Sequence, residues 1–479
     1  MTEIKTSFVA DKINGDLVGP DNKISGTFNF LNSASPGDAV IRYWIDENGI
    51  RIAAEKEVSC VITEDARGSA IKAAEDLGIS LITVERIEIA NAFALKWAID
   101  TFAKDSKKVV VTGTNGKSTT AHLLYNILNE AGYSTYCNTD AQSEFNTLID
   151  PMVSKQIAEY NQDIEYLIIE VSEVQGLPDR LMENHPYIMT QAINPDVVVV
   201  TNIALDHVNL VNSIHEMFTE TAGSVKALEN GCAVLNSLDP LVYKMKDLLK
   251  PSNNYIFFGE GEISSKKDGI YYKDKLLIEE KILPFKSEHF IYNIMAAVGA
   301  AVALGVDDEI IRKGVASYQA LDRRFSILNQ KPLIIDDFAH NPEGIIATIK
   351  NITSLPNANI IIVSAIRGSR GWEINKFNAD ALVEGLKSKG LSDSDYNLII
   401  TSSVDVVDSA NLVTADEKDV YLKILRNENI DFVFKDKLYD AIKHAILSSK
   451  RDDIILLIGA QGMDPAQKVV KDVFKNLDL

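Results

Sequence analysis

The 479-residue sequence has few cysteines, no long apolar run and no excess of basic residues. Cys60, Cys137 and Cys232 are odd in number and widely spaced, which argues against a disulfide framework and against a zinc site. No apolar run reaches the length of a membrane span, and the first residues lack the charged-then-apolar layout of a signal peptide. These absences predict a cytoplasmic protein without membrane insertion.

Basic residues are outnumbered by acidic ones, 48 to 68, and the formal net charge is −20. The acidity is spread along the chain without a large basic block to offset it. This distribution argues against a nucleic-acid partner. A nucleotide can still bind where the site itself supplies lysine, arginine, Mg²⁺ and helix N-termini.

Length and the alternation of strand and helix patterns predict an α/β protein of three domains, with boundaries at 1–105, 106–328 and 329–479. In the first domain, apolar runs at 57–63 and 80–84 flank a helix pattern at 70–77. In the other two, near-continuous apolar runs end in polar residues, which is typical of a parallel sheet covered by helices on both faces. These runs are 108–112, 166–170, 196–202 and 232–236, then 333–337, 359–365, 397–403, 431–434 and 453–462.

The segment KVVVTGTNGKSTTAHLL, which starts at Lys108, combines a short strand, a glycine-containing loop and a helix pattern. It is shorter than the usual G-x-x-x-x-G-K-[ST] phosphate loop, because its first glycine is Gly113. Backbone N–H groups at a helix N-terminus favour an anion, so we predict a nucleotide site rather than a purely structural turn. The predicted nucleotide-binding residues here are Gly113, Thr114, Asn115, Gly116, Lys117, Ser118 and Thr119.

Polar residues follow other predicted strands at the same edge of the central sheet. Glu170 ends one strand, and Asp206 and His207 follow another. In open α/β sheets, ligands bind at the carboxyl ends of the strands. Glu170 is therefore predicted as a Mg²⁺ ligand, with a helix cap as the alternative. His207 alone would more often be structural, but beside Asp206 it becomes a candidate for metal or phosphate binding.

The predicted junction between the second and third domains carries LDRRFSI and DDFAHNPE. Paired arginines usually form a solvated face, but Arg324 at a domain junction could bind phosphate with its planar guanidinium. Asp337 and His340 lie at a strand end and suit a ribose or base contact. The third domain has a doubly wound, Rossmann-like pattern without G-x-G-x-x-G, so a dinucleotide site is weakly supported.

TGTNGKSTT, EVSE, TNIALDH, NIMAAVGAAVALGV, LDRRF and DDFAHNPE occur in the order in which the Mur ligase family has them, so the chain resembles that family over nearly its whole length. The resemblance implies a substrate-carrier domain, a central P-loop domain with a parallel sheet that binds ATP, and a Rossmann-like C-terminal domain that binds an amino acid. It implies an ATP-dependent, ADP-forming ligase that makes an amide through an acyl phosphate.

The resemblance also implies roles for single residues. Lys117 would neutralise phosphate, Ser118 would bind one Mg²⁺, and Glu170 and His207 would bind a second. Asn293 corresponds to an adenine-contacting asparagine and Arg324 to a phosphate-side arginine. Asp337 and His340 correspond to the neighbourhood of the ribose and the base. The implied catalytic set is Lys117, Glu170, His207 and Arg324.

Three departures from the family pattern narrow the prediction. Thr221 stands where many members have a carbamylated lysine, so Glu220 is predicted to supply the missing charge to the metal, and Lys226 is the nearest lysine. FLN replaces the Asp-Ser-Arg of many nucleotide-peptide ligases. TSSVDVVDS replaces the Asp-Asn-Pro-Arg motif that recognises diaminopimelate in some members.

These departures, with SAIRGSRG and GAQGMD, resemble the archaeal branch that builds pseudomurein peptides. The expected partners are a UDP-linked peptide and a free amino acid, and the expected state is a monomer. The alternatives are an amide ligase for another carboxylate, such as a cofactor precursor, and a non-catalytic nucleotide-binding module. A folylpolyglutamate synthase fits less well, since that subgroup has glycine where this chain has Ser118.

Overall fold

The computed structural model describes residues 3–138, 151–177, 180–204, 211, 213–284, 287–353, 359–387 and 396–477. Its strands form three large sheets in succession along the chain and one small two-stranded sheet near the start. No helix in these ranges combines the length and the apolar character that crossing a membrane requires.

The first part of the chain alternates short strands and helices. Its elements are β1 Ile4–Lys5, α1 Thr6–Ile13, β2 Asp16–Val18, β3 Lys23–Ile24, β4 Phe28–Asn29, β5 Ala39–Ile45, α2 Glu47–Glu55, β6 Cys60–Ala66, α3 Ala70–Leu77, β7 Ser80–Thr83 and α4 Ile87–Phe102. The sheet order is β2-β7-β6-β5-β4. Val61 and Ile62 pack in different apolar clusters, because successive side chains of a strand point to opposite faces. The sheet is therefore covered on both sides.

The central part holds the largest sheet. Its elements are β8 Lys107–Thr112, α5 Lys117–Glu130, β9 Thr135–Cys137, α6 Pro151–Ala158, β10 Tyr166–Glu170, α7 His185–Ile193, β11 Val197–Val200, α8 Ile214–Ala227, β12 Cys232–Asn236, α9 Pro240–Lys244, β13 Asn254–Gly259, β14 Ile263–Lys266, β15 Gly269–Tyr272, β16 Lys275–Glu279, α10 Glu288–Ala303 and α11 Asp308–Ala316. The order is β16-β15-β14-β13-β12-β11-β8-β10-β9. Strands β8 to β13 pair in parallel. Strands β14 to β16 pair antiparallel with one another and extend the sheet.

The register of the central strands decides which residues meet at the sheet edge. Glu170 pairs with Val111 and Val200 pairs with Thr112, so β8, β10 and β11 end at the same level. The loops that follow them therefore come together. This is the edge at which the sequence predicted a nucleotide site.

The last part is a six-stranded sheet between helices. Its elements are β17 Arg324–Gln330, β18 Leu333–Asp337, α12 Pro342–Ile352, β19 Ile360–Ala365, α13 Trp372–Lys387, β20 Tyr396–Thr401, α14 Ala415–Asn427, β21 Val433–Lys435, α15 Leu438–Ser448, β22 Ile454–Ile458 and α16 Ala466–Asn476. The order is β17-β18-β22-β19-β20-β21, and only β17 pairs antiparallel within it. The predicted α/β class, with a parallel central sheet and a Rossmann-like last sheet, is confirmed.

The predicted boundary at 328/329 falls inside β17, whose first residue, Arg324, already pairs with Asp337 of β18. The boundary at 105/106 falls between α4 and β8. Both boundaries stay predictions. The pairing places the backbone of Arg324 in the last sheet.

Candidate nucleotide-binding site

The loop between β8 and α5 is held by the end of β11. The Thr114 amide donates to the Asn202 carbonyl at 2.9 Å, and the Asn115 amide donates to Asn202 Oδ1 at 3.0 Å. Asn202 Nδ2 in turn donates to the Asn115 carbonyl at 2.8 Å. These bonds fix the shape of the loop.

Both loop glycines have a backbone that a larger residue would strain. Gly113 has φ +119° and Gly116 has φ +83°. A Cβ on Gly113 would lie 2.3 Å from Thr201 Oγ1, and one on Gly116 would lie 2.2 Å from Asn293 Oδ1. The loop thus packs directly against the predicted adenine-contacting Asn293, and glycine is required at both positions.

Lys117 begins α5 and turns its ammonium back over the loop. Its Nζ donates to the carbonyls of Gly113 at 2.7 Å and Thr114 at 3.0 Å, and lies 2.7 Å from Glu173 Oε2. The Glu173 side chain is 1% exposed and the Lys117 side chain 13%. A buried carboxylate that the sequence did not single out is therefore a direct partner of the loop lysine.

Ser118, Glu170 and Arg324 meet beside this pair. Ser118 Oγ donates to Glu170 Oε1 at 3.1 Å, and Arg324 Nη2 donates to Ser118 Oγ at 3.3 Å. The Arg324 guanidinium also lies over the Phe338 ring, with Cζ 4.7 Å from the centroid. An arginine of the last sheet thus reaches the central P-loop, as the sequence predicted.

Burial and charge act in opposite directions on the carboxylates of the site. Burial raises the pKa of Glu170, and the positive charges of Lys117 and Arg324 oppose this rise. Burial also raises the pKa of Asp337, which accepts a hydrogen bond from Thr348 Oγ1 at 2.8 Å. Cations near both carboxylates therefore stabilise their charged forms.

A cavity of about 690 Å³ opens next to the loop, between the central and the last sheet. Predicted nucleotide residues from both sheets line it: Asn115, Gly116, Thr119, Asn293, Arg324, Asp337 and His340. The other predicted residues of the site lie outside the cavity lining, next to it. They are Gly113 and Thr114 of the loop, and Lys117, Ser118 and Glu170 of the ion-pair cluster. Arg324 belongs to both, so it joins the cavity to the cluster.

The last sheet touches the loop at a second point. Asn341 Nδ2 donates to Asn115 Oδ1 at 2.9 Å, while Asn341 Oδ1 caps α12 by accepting from the Gly344 amide at 2.9 Å. His340 Nδ1 lies 2.7 Å from the Phe338 carbonyl. The predicted base and ribose neighbourhood thus faces the P-loop across the cavity.

Glu220 and Thr221 lie on α8. Burial raises the pKa of Glu220, and the backbone amides of Asn184 and His185, at the start of α7, oppose the rise. Thr221 is fully buried and donates its hydroxyl to the Met217 carbonyl at 2.7 Å. The groups that act on Glu220 are Arg86, Glu183 and the amides at the α7 N-terminus, and none of these belongs to the Ser118–Glu170 cluster. Its predicted role as a metal ligand stays a prediction.

His207 lies outside the described residues, so its predicted role in metal binding also stays a prediction. Within the described ranges no group of three or more His, Cys, Asp or Glu side chains could hold a metal ion. The pair of Ser118 and Glu170 does offer a hydroxyl and a carboxylate oxygen 3.1 Å apart. Oxygen donors of this kind suit Mg²⁺.

Sequence reasoning missed Glu173, Asn138 and Asn341. Asn138 fixes the end of β10, because its Oδ1 accepts from the Glu170 amide at 2.7 Å and its Nδ2 donates to the Glu170 carbonyl at 3.2 Å. Glu173 lies in EVSE and Asn341 lies in DDFAHNPE, two motifs that also contain predicted site residues. Their position in these motifs was the sequence signal that could have indicated them. The pairing of each with the loop could only come from the fold.

Two family models match the chain in succession. The Mur ligase middle domain matches residues 111–301, and the Mur ligase glutamate ligase domain matches residues 323–461. Together they span the two sheets that surround the cavity.

Relatives and solved structures extend the match. A UDP-N-acetylmuramate–L-alanine ligase of Caldicellulosiruptor saccharolyticus is 25% identical over 77% of each chain. A UDP-N-acetylmuramoyl-L-alanyl-D-glutamate–2,6-diaminopimelate ligase of Syntrophomonas wolfei is 24% identical over 96% of this chain and 94% of its own. MurF from Acinetobacter baumannii has a similar fold, with TM-score 0.72 and 17% identity over 99% of each chain.

Two further structures share the fold. MurF ligase from Thermotoga maritima, in complex with ADP, has TM-score 0.68 and 18% identity over 95% of this chain and 98% of its own. A pseudomurein peptide ligase type C from Methanothermus fervidus has TM-score 0.54 and 18% identity over 90% of this chain and all of its own. With its P-loop, its paired sheets and these matches, the chain belongs to the Mur ligase family of ATP-dependent, ADP-forming amide ligases.

Proposed function

We propose that the protein joins an amino acid to a carboxylate of a nucleotide-linked peptide, through an acyl phosphate. The observation that carries this proposal is the meeting of Lys117, Ser118 and Glu170 of the central sheet with Arg324 of the last sheet. A simple phosphate-binding module would not need an arginine from a second sheet at its P-loop. A ligase needs it, because phosphate and amine must be brought together.

In the first step the substrate carboxylate attacks the γ-phosphorus of ATP, and the bond to the bridging oxygen breaks to give ADP and the acyl phosphate. Lys117 and Arg324 place positive charge where the phosphate charge redistributes, which is the main way such a site lowers the barrier. Ser118 and Glu170 would hold Mg²⁺, which neutralises phosphate charge and orients the phosphate oxygens.

In the second step the amine of the amino acid attacks the acyl carbon, the bond to phosphate breaks, and the amine proton is lost. The last sheet forms the far wall of the cavity through Asp337, His340 and Asn341. An amino acid bound on that sheet would face the acyl phosphate. Positioning of the two reactants is the contribution that this second wall makes.

We propose that the peptide product is a precursor of pseudomurein. Thr221 in place of a lysine, SAIRGSRG and GAQGMD support this assignment. The shared fold with a pseudomurein peptide ligase is compatible with it but supports only the architecture. The replacement of Asp-Ser-Arg by FLN leaves a different carrier as the second candidate.

A product screen tests the proposal. Purified protein, ATP and Mg²⁺ would be incubated with UDP-linked glutamyl peptides and each common amino acid, and amide products detected by mass. Amide product, and more than one ADP per protein molecule, should appear only when both acceptor and amine are present. Continued ADP release without an amine, or a phosphorylated acceptor as the final product, would contradict the ligase mechanism. Product formed only on a carrier without UDP would favour the second candidate.

A further inference from the structure

Arg324 stands in a stretch of irregular backbone. The residues on both sides of it, Arg323 and Phe325, have φ +60°, a left-handed conformation that residues other than glycine rarely adopt. The pairing of β17 with β18 also changes register between Arg324 and Ser326. Irregular pairing of this kind re-aims side chains. A regular strand therefore does not set the direction of the Arg324 guanidinium, and contacts of the neighbouring residues have to hold it toward the P-loop.

The Arg323 side chain anchors this stretch to the loop between β22 and α16. Arg323 is 4% exposed. Its guanidinium donates to two carboxylates and two carbonyls, which are Asp336 Oδ1 at 3.4 Å, the Ala460 carbonyl at 3.2 Å, the Gly459 carbonyl and Asp464 Oδ1. Buried charges are tolerated where they are paired and hydrogen-bonded, as this one is. Arg323 and the loop at 459–464 therefore fix each other in place.

Phe338 links the two arginines a second time, in addition to the peptide bond between them. The Phe338 amide donates to the Arg323 carbonyl at 2.7 Å. The Cζ atoms of Arg323 and Arg324 lie 4.9 Å and 4.7 Å from the centroid of the Phe338 ring. Phe338 is 2% exposed, so its ring has little room to move. A displacement of Arg323 would therefore reach Arg324 both through the chain and through the ring.

We propose that Arg323 is a positioning residue: its anchorage to the loop at 459–464 directs the Arg324 guanidinium to the phosphates at the P-loop. Arg324 Nη2 reaches Ser118 Oγ at 3.3 Å from the irregular stretch, which is the outcome that such an anchor has to secure. The alternative is that Arg323 only stabilises the last sheet. The inference rests on the proposed function only in taking ATP as the ligand that Arg324 contacts.

A double-mutant cycle with Arg324 tests the proposal by nucleotide binding, without turnover. The affinities of ADP and of a non-hydrolysable ATP analogue, both with Mg²⁺, would be measured by calorimetry, and their ratio gives the preference for the third phosphate. Arg324→Ala should reduce this preference at least about 10-fold, the size of one hydrogen bond to a charged group. Arg323→Lys should reduce it at least about 3-fold in the wild type and leave it unchanged in the Arg324→Ala background.

Urea unfolding separates positioning from support of the fold. Ile455→Val is the matched control, because it loosens the core of the same sheet at β22 without changing a side chain of the loop. It should lower stability and leave the preference for the third phosphate unchanged. If Arg323→Lys did not fold, Asp464→Asn, which removes the charge of one partner in the loop, would replace it in the cycle with the same expected pattern.

Three results would overturn the proposal. Equal losses of preference from Arg323→Lys in both backgrounds would do so, because a residue that acts through Arg324 has no effect once that guanidinium is removed. An unchanged preference in Arg323→Lys, with Arg324→Ala defective, would make Arg323 a stabilising residue only. A wild-type preference in Arg324→Ala would show that the third phosphate does not depend on Arg324. Failure of the proposed function would look different, as the expected binding pattern in a wild type that forms no amide.

Discussion

At the scale of single residues, the properties of the P-loop depend on the partners of its positively charged side chains. Lys117 holds two loop carbonyls and Glu173, and Arg324 holds Ser118 while stacking on Phe338. A substitution here changes both the charge offered to phosphate and the balance among buried carboxylates. The two effects can be separated by choosing the variants accordingly.

Lys117→Ala should lower ligation by at least about 100-fold, the scale seen when one group that stabilises transition-state charge is removed. It also removes the Lys117 ammonium from beside buried Glu173, so the variant should unfold at lower denaturant. Lys117→Ala combined with Glu173→Gln should recover stability but not activity. Turnover and urea unfolding would be measured for both, with Lys96→Ala, an exposed lysine paired with Asp100, as control. Ligation at the wild-type rate by a folded Lys117→Ala protein would contradict the P-loop assignment.

The sequence predicted most of the residues at the loop but not all of their partners. Lys117, Ser118 and Glu170 follow from a local pattern and a strand end, and Arg324 follows from its motif. Glu173 could not be assigned, because its partner Lys117 lies 56 positions away. Asn341 meets Asn115 across 226 positions, which no local pattern encodes.

At the scale of elements, buried parallel strands were predicted most accurately. β10, β12 and β18 have the predicted bounds, since each is a short apolar run buried among neighbours. β5 and the hairpin strands β14 to β16 were missed. Strands such as β14, ISSK, are partly polar and lie near a sheet edge, so periodicity gives them no clear signal.

Arg180, in the segment before α7, pairs with two carboxylates of the first part of the chain. Arg180 donates to Glu64 at 2.6 and 3.0 Å and to Glu88 at 2.8 and 3.1 Å, and the Glu88 side chain is fully buried. Arg180→Met should lower the free energy of unfolding by about 2 kcal/mol, because it removes hydrogen bonds to two carboxylates while Arg86 still pairs with Glu88 at 2.8 Å. Arg51→Met, which breaks an exposed pair with Glu47, should cost less than about 1 kcal/mol. Equal losses in urea titrations of the two variants would show that the Arg180 link behaves as a surface pair.

α7 also carries a histidine that should make stability depend on pH. His185 is 1% exposed, neither ring nitrogen has a hydrogen-bond partner among the described residues, and burial lowers its pKa from 6.5 to about 4. The unfolded chain therefore binds a proton that the folded chain does not between these values.

The stabilising contribution of neutral His185 should be complete above pH 6.5 and lost as pH falls toward 4, by about 3 kcal/mol at most. Burial lowers the pKa of His289 to about 4 as well, so part of the pH dependence belongs to that residue. Unfolding titrations from pH 7 to 4 should therefore give a smaller slope for His185→Phe than for the wild type. The exposed His215 gives the control, His215→Gln, and a slope unaltered in His185→Phe would exclude this residue as a source of the pH dependence.

At the scale of the whole molecule, the central and last sheets are joined near the cavity by polar contacts and by Phe325, which packs against both apolar cores. Besides Arg324–Ser118 and Asn341–Asn115, Asn351 Nδ2 donates to the His289 ring at 2.8 Å. The polar contacts can be exchanged for contacts with a ligand. The last sheet should therefore change its position when nucleotide and acceptor bind.

Small-angle scattering measures this change directly. A nucleotide analogue with acceptor should reduce the radius of gyration or alter the distance distribution, whereas the analogue with Lys117→Ala should not. Identical scattering of the wild type with and without both ligands would count against the movement.

The shared cavity has a consequence for how the molecule unfolds. Because its walls come from two sheets with separate apolar cores, a nucleotide bound there acts as a bridge between two units that could otherwise melt independently. Ligand that binds only the folded pair adds RT ln(1 + [L]/Kd) to the stability of the pair as a whole. Calorimetry should then show separate transitions for the free protein merging into one cooperative transition at saturating nucleotide, so the ligand would decide how many folding units the chain has.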